Sequence, residues 1–269
     1  MNIDIRAFGR AQRPQVGVLQ HPPEGMARRA AWLLVRPMGQ EAVRTAAVYR
    51  VLSERLARAG CIVLRFDFHG TGNAPGEEGQ QSLEGWVDDT LAAHECLRQE
   101  GVPNVHWFGM GLGANIMLRA ALRASQPPAH LVPWEPIWQG RDYIEALKAG
   151  HRDELRRELA YPWEKLLAKG LVTEPQLPGD ILGFQIGAQL ANDLITLDPF
   201  ETLLRTALQS GLAITCAAQA EHLPMLDALR QPGLTAQPIA ERTNWLSSQA
   251  MGTAIVPPEM PRVLLSTLP

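Results

Sequence analysis

Three glycines at alternate positions, Gly109, Gly111 and Gly113, place the strongest constraint on how this chain can fold. They follow the apolar run Val105–Phe108 and precede Asn115–Ala124, where apolar residues recur with helical spacing. A strand that enters a helix through so short a turn needs residues without side chains, because the backbone turns sharply and the two elements pack closely. The segment therefore predicts a buried strand, a tight turn and a helix.

The same spacing matches G-x-S-x-G, a pattern in which a strand-to-helix turn exposes a nucleophilic serine. Gly111 stands at the serine position, so this chain has no side-chain atom there that could attack a substrate. Glycine reaches positive φ without steric cost, whereas a serine held in that conformation stores on the order of 1–3 kcal/mol of strain. The pattern predicts the architecture of a serine-hydrolase turn without its nucleophile.

Short apolar runs alternate with helical patterns along the chain, which predicts an α/β fold with a mostly parallel central sheet flanked by helices. The predicted strands are Gln15–Leu19, Ala30–Val35, Cys61–Phe66, Val105–Phe108, His130–Trp134, Leu212–Ala217 and one within Gly233–Ile239. The predicted helices are one that follows Gly39, then Trp86–Leu97, Asn115–Ala124, Leu223–Arg230 and Arg262–Leu268.

The alternation stops after Gly140, and residues 142–208 are mainly amphipathic helix, interrupted at Thr173–Gly183. We interpret residues 142–208 as a helical cap that is inserted into a core formed by residues 1–141 and 209–269. A turn is also expected within Asn244–Met251.

Composition excludes several classes of function. The 269 residues are 46% hydrophobic and 20% charged, with a net charge of −3, so neither nucleic acid nor an anionic membrane is an expected partner. The three cysteines are far apart and form no C-x-x-C pair, which favours free thiols and no metal site. We predict no cofactor, no membrane span and a cytoplasmic location, since the N-terminus lacks the apolar core of a signal peptide.

Motifs in a fixed order resemble the α/β-hydrolase superfamily over nearly the whole chain. They are a strand followed by Pro-Met-Gly and a helix, the loop DFHGTGNAPGE after the next strand, and the glycine turn. The loop is similar to the D-x-x-G-x-G-x-S loop of these hydrolases, with Asn73 at the usual serine. The resemblance implies an α/β-hydrolase fold of the serine aminopeptidase S33 type.

A narrower resemblance is to the exosortase A system-associated hydrolase 2 group. Four stretches carry it: VRPMGQEAVR, WFGMGLGANIML, LVPWEPIWQGRDYIEAL and ILGFQIGAQLANDL. It implies an association with exopolysaccharide gene clusters and with exosortase-sorted surface proteins. It also implies that the residue at the nucleophile position varies within the group, with Gly111 as one example.

Hydrolysis in this fold needs a nucleophile, an acid and a histidine base, in that order along the chain. Glu221 lies close to the expected acid and is either a remnant of it or a solvated loop carboxylate. The base should lie after the final strand, around Asn244, but His222 is the last histidine of the chain. The sequence thus lacks both the nucleophile and the base.

The oxyanion hole consists of backbone amides and can survive the loss of the triad. We expect its two donors to be the amides of Met38 and Leu112. Trp134, Trp138 and His69 are pocket candidates, although packing between cap and sheet is the default interpretation for the two tryptophans and bracing of its loop the default for His69.

Our leading interpretation is a catalytically inactive pseudo-hydrolase that binds a small acyl or carboxylate ligand, or a protein partner. One alternative is an active esterase, thioesterase or peptidase with a non-standard site. Another is a structural subunit that pairs with an active paralogue. The sequence leaves the ligand and the oligomeric state open.

Overall fold

A computed structural model describes residues 2–229, 231–240, 244–246 and 256–268. The strands, β1 to β10, are Ile3–Arg10, Arg13–Gln20, Ala30–Val35, Cys61–Asp67, Val105–Met110, His130–Trp134, Gly179–Ile181, Phe184–Ile186, Ile214–Ala218 and Leu234–Pro238. The helices, α1 to α9, are Gly39–Arg58, Leu83–Arg98, Leu112–Arg123, Gly140–Glu158, Trp163–Ala168, Ala188–Ile195, Phe200–Gln209, Leu223–Leu229 and Glu259–Ser266.

The main sheet has eight strands within the described residues, in the order β1-β2-β4-β3-β5-β6-β9-β10. In this sheet β4, β3, β5, β6, β9 and β10 run parallel to one another. β2 pairs antiparallel with both β1 and β4. Helices lie on both faces of this sheet, so the predicted fold class, a mostly parallel sheet flanked by helices, is confirmed.

Two core clusters cover the two faces of the sheet, because successive side chains of a strand point to opposite faces. On β5, Trp107 belongs to the cluster that includes residues of α2, α3 and α7, whereas the adjacent Phe108 packs with residues of α1 and α9. Both aromatic rings are fully buried. This double coverage explains why β3 and β5 appear in the sequence as continuous apolar runs.

The chain between β6 and β9 adds no strand to the main sheet. It forms the helices α4 to α7 and a separate hairpin of β7 and β8. The hairpin lies against the 3₁₀ turn Glu78–Gln80, and a Cβ at Gly187 would collide with the carbonyl oxygen of Gly79. The division into a core and an inserted cap is compatible with this arrangement and stays a prediction.

Most described elements lie within a few residues of their predicted positions, and β3 and β6 have the predicted bounds. The sequence analysis did not predict β1, nor the short hairpin strands. Of the turn expected within Asn244–Met251, residues 247–251 lie outside the described residues. The same holds for Arg230, the last residue of the predicted helix Leu223–Arg230. No described helix is both long and apolar enough to cross a membrane.

The glycines that flank the turn are required by close packing. A Cβ at Gly109 would lie 2.7 Å from the carbonyl oxygen of Gly113, at the start of α3. A Cβ at Gly113 would touch the carbonyl oxygen of Arg36 and lie 2.7 Å from that of Val35. The helix therefore starts in direct contact with the end of β5 and with the loop that follows β3.

Gly113→Ala should destabilise the protein even though alanine is the better helix former. The added methyl group meets rigid backbone, and overpacking of this kind costs about 1–3 kcal/mol or more. The measurement is urea unfolding of the variant and of Gly101→Ala, a surface glycine with open space around it, where a φ of 74° adds only backbone strain of about 1–2 kcal/mol and no clash. Equal losses in the two variants would contradict the packing role of Gly113.

Candidate functional site

Gly111 joins β5 to α3 in a conformation that L-residues with side chains rarely adopt. Its φ is 52° and its ψ is −128°. The Gly111 amide donates to the carbonyl oxygen of Trp134 at 3.1 Å, and the Gly111 carbonyl accepts from the Ala114 amide at 3.1 Å. The turn predicted from the sequence is present, and glycine adopts its backbone conformation without the strain that a serine would add.

A cavity of about 660 Å³ opens over Gly111. Six parts of the chain line it: the start of α1, the glycine turn after β5, the segment after β6, the inner face of α4, the loop after β9, and residues 244–246. These are loops and helix ends at the carboxyl edge of the parallel strands, where α/β folds commonly bind ligands. The space above Gly111 is therefore open.

Each of the two predicted oxyanion donors directly follows a residue that lines this cavity. Met38 is the residue directly before α1, and Leu112 is the first residue of α3. Amides at these places have no acceptor within their own helix. Pro37 and Gly111, the residues that precede them, line the cavity. Their role as oxyanion donors stays a prediction that this position favours.

Glu41 is the titratable group nearest to the nucleophile position, and the sequence analysis missed it. A Cβ built on Gly111 would lie 3.7 Å from Glu41 Oε1. The Tyr143 hydroxyl donates to Glu41 Oε2 at 2.5 Å. Only 9% of the Glu41 surface is exposed, in the cavity that it lines with Tyr143. The sequence offered only a carboxylate in the first turn of a helix, where the helix dipole alone explains it.

Burial raises the pKa of Glu41 from 4.5 to about 7. The hydrogen bond from Tyr143 and the charge of Arg44 lower this pKa, while the charge of Glu135 raises it further. The pKa of Tyr143 lies well above its ordinary value, because the phenol is buried beside the carboxylate. Glu41 thus changes its charge close to neutral pH, which is typical of functional sites.

Glu135 also lines the cavity, directly after β6. Its φ of 44° is unusual for a residue with a side chain, and its Oε1 accepts from Gln219 Nε2 at 2.7 Å. Strained backbone of this kind persists only where the surrounding contacts hold it, and it is enriched at binding sites.

Glu221, the predicted remnant of the acid, follows β9 and lies at the rim of the cavity. Its carboxylate is 3.5 Å from His222 Nε2, and its side chain is mostly exposed. The His222 ring packs on Trp138, with 4.1 Å between the ring centroids. Trp138 therefore lines the cavity as predicted, although His222 covers part of its ring.

The other two pocket candidates do not reach the cavity. Trp134 is fully buried in the core cluster on the α1 face of the sheet. His69 braces its own loop: its amide donates to Asp89 Oδ2 at 2.9 Å, and its Nδ1 lies 3.1 Å from the carbonyl oxygen of Pro14. The cavity lining differs from our prediction at these two residues, because each is used in packing elsewhere.

Residues 244–246 lie where the histidine base of a hydrolase was expected, and they do line the cavity. Their position is fixed in part by Arg44, whose Nη1 donates to the Trp245 carbonyl oxygen at 3.0 Å. Neighbouring residues 241–243 and 247–255 lie outside the described part, but none of them is a histidine. The described residues contain no cluster of three or more groups that could hold a metal ion.

A sequence profile described as serine aminopeptidase, S33, matches residues 40–177. This segment includes Glu41, the loop after β4, the glycine turn and Tyr143. A comparison with curated protein sequences gives no match.

Solved structures with the same fold cover almost the whole chain. A proline iminopeptidase from Mycobacterium smegmatis is 15% identical, with a TM-score of 0.60 over 98% of this chain and 97% of its own. Est1E from Butyrivibrio proteoclasticus, with ferulic acid bound, is 14% identical, with a TM-score of 0.64 over 98% of both chains. An esterase from Pyrococcus furiosus is 13% identical, with a TM-score of 0.65 over 98% of this chain and 89% of its own. At these identities the likeness shows the fold alone.

Replacing Glu41 by glutamine should stabilise the protein at alkaline pH. Because the folded-state pKa lies above the unfolded value, the carboxylate lowers the free energy of unfolding as pH rises from 4.5 to 7, by on the order of 3 kcal/mol. Glutamine keeps an oxygen for Tyr143 and removes this cost. Urea unfolding from pH 5 to 8.5 should show Glu41→Gln gaining on the wild type as pH rises.

Tyr143→Phe provides the opposing variant. Loss of the donated hydrogen bond leaves the ionised carboxylate less stabilised, so this variant should lose more stability at pH 8.5 than at pH 5. Parallel pH profiles for the wild type and both variants would contradict the assignment of Glu41 as a buried group that titrates near neutrality.

Proposed function

This chain belongs to the serine aminopeptidase S33 family of α/β-hydrolase-fold proteins, and we propose that it binds a small ligand over the glycine turn without hydrolysing it by serine chemistry. The observation that carries this proposal is the pairing of an open cavity with Gly111 at the nucleophile position. Covalent acyl transfer needs a nucleophile whose proton a neighbouring base removes. The chain supplies neither a serine at position 111 nor a histidine after His222.

The lining of the cavity favours a neutral acyl group over a free carboxylate. A carbonyl oxygen fits the two backbone amides at Met38 and Leu112, which attract partial negative charge. A carboxylate ligand would bring a full negative charge among six acidic side chains that line the cavity, Glu41, Glu135, Asp142, Asp153, Glu154 and Glu221. Of the two small ligands expected from the sequence, we therefore propose the acyl compound and not the carboxylate.

A second candidate function has one observation in its favour. Glu41 Oε1 lies close enough to the space above Gly111 to accept a proton from a water molecule there. A carboxylate with a pKa of about 7 is a competent general base at neutral pH. In that case the protein would be a water-mediated hydrolase, and Glu41→Gln would abolish turnover.

The biological setting rests on the narrower sequence resemblance. We propose that the protein acts in the cytoplasm, in an exopolysaccharide or exosortase-linked system, and that its ligand is an acyl compound of that system. Co-purification from a native host would test for a protein partner.

The wild-type protein should neither hydrolyse p-nitrophenyl esters above background nor react with a fluorophosphonate probe. Both assays depend on an activated nucleophile, which the site lacks. An active serine hydrolase of the same fold serves as the positive control. Ester turnover that follows the protein through successive columns and disappears in Glu41→Gln would contradict the binding function and establish the water-mediated one.

Gly111→Ser should remain without burst kinetics in the same assays. A new hydroxyl could approach Glu41, but the chain has no histidine after its last strand, and the imidazole of His222 packs on the Trp138 ring and pairs with Glu221. The variant should also lose on the order of 1 kcal/mol or somewhat more of stability, because serine is strained at positive φ. Probe labelling of Gly111→Ser that is lost on adding Glu41→Gln would instead show that serine alone was missing.

A further inference from the structure

The cavity over Gly111 has a one-sided charge. Against its six carboxylates, no lysine or arginine lines it among the described residues, and His222 is its one imidazole. Part of the negative charge is compensated from behind, since Arg44 Nη2 lies 3.3 Å from Glu154 and Arg157 also pairs with Glu154. The six carboxylates still outnumber these two positive charges, and an excess of negative charge repels anions and concentrates cations.

Glu41 has one oxygen committed and one available. Oε2 accepts the hydrogen bond from Tyr143. Oε1 accepts none from any described residue, although the side chain is more than nine-tenths buried. This oxygen is 3.7 Å from the place that a Cβ at position 111 would take. A serine side chain there would occupy the space next to Oε1, and glycine leaves that space to a ligand.

We propose that the cavity binds a ligand carrying a protonated amine, and that Gly111 provides the space through which the ammonium group reaches Glu41 Oε1. This inference rests on the proposed binding function and names the chemical class of the ligand. A charge-assisted hydrogen bond from an ammonium group to a buried carboxylate is stronger than one between neutral groups. Glycine at position 111 is then a requirement of binding as well as a loss of catalysis.

The rest of the wall near Glu41 fits the body of such a ligand. Pro37, Ile137, Ala146, Ala149 and Leu246 bring apolar surface to the same cavity. Burial of apolar area stabilises a bound organic group, while the carboxylate fixes its orientation. The chemistry therefore favours an amine with an apolar body over a small inorganic cation.

Binding should depend on pH in a defined direction. The charged and titratable groups that face Glu41 are Tyr143 on α4, Glu135 after β6 and Arg44 on its own helix. An ammonium ion at Oε1 favours the ionised carboxylate, so the amine should displace a proton from Glu41 near pH 7. A simple alkyl amine keeps its own charge up to about pH 10. Affinity should rise from pH 6 to 8.

Titration calorimetry with three matched probes tests this inference: phenethylamine, 2-phenylethanol and 3-phenylpropionate. They share the ring and differ in charge. Wild-type protein should bind the amine most tightly, with uptake of the released proton by the buffer at pH 7. Glu41→Gln and Gly111→Ser should each weaken the amine roughly tenfold to hundredfold, the range of a lost charge-assisted hydrogen bond. Glu84→Gln, an exposed site on α2, is the control and should bind like the wild type.

Three outcomes would overturn the inference: no binding of the amine by the wild type, equal or tighter binding of the anion, or full retention of amine binding in Glu41→Gln and Gly111→Ser. Folding of the variants is checked by their urea transitions. Failure of the proposed function is distinguishable, because it appears as ester turnover in the absence of any amine. If the protein binds the amine and also hydrolyses esters, only the inactive role is contradicted. If it does neither, only the amine-binding inference is contradicted.

Discussion

The contact between the start of α3 and the loop after β3 organises the whole site. Gly113 lies so close to the carbonyl oxygens of Val35 and Arg36 that no side chain fits between them. This contact brings the turn at Gly111 next to the first turn of α1. Glu41 is in that first turn, and its distance from Gly111 follows from the same packing. Glycine at position 111 therefore leaves the Glu41 carboxylate next to the open space of the cavity.

The raised pKa of Glu41 is the property of this site that is most typical of functional sites. A buried carboxylate with a raised pKa destabilises the folded protein at neutral pH, and a neutral residue in its place would be more stable. The Tyr143 hydrogen bond offsets only part of this cost. Glu135 adds backbone strain and a second negative charge to the cavity wall. Under the proposed binding of an amine, this loss of stability is a cost of the binding group, and the bound cation would recover part of it.

Much of the fold could be predicted from the sequence, because parallel strands buried on both faces are continuous apolar runs and the glycine turn fixes one strand-helix junction. The first strand, Ile3–Arg10, was missed because it is an edge strand with charged residues and a largely exposed surface. Its main support is antiparallel pairing with the next strand, which local sequence does not reveal.

The candidate site was only partly predictable. The position of Gly111 and of the flanking amides follows from a local motif, but Glu41 and Tyr143 are 102 residues apart and meet only in the fold. Neither residue belongs to a recognisable catalytic pattern, since a first-turn glutamate and a helical tyrosine are ordinary features of helices. For Trp134 and His69 the structural alternative, packing in the core and bracing of a loop, fits the structure better than a place in the pocket.

The most direct test of this account is a ¹³C NMR titration of the Glu41 carboxylate carbon, assigned by its absence from Glu41→Gln. The account predicts a midpoint near pH 7 in the free protein, since burial raises the pKa to about 7. Addition of phenethylamine should move this midpoint to lower pH, because the ammonium group favours the ionised form. A midpoint near the ordinary value of 4.5 that the amine does not move would contradict the account.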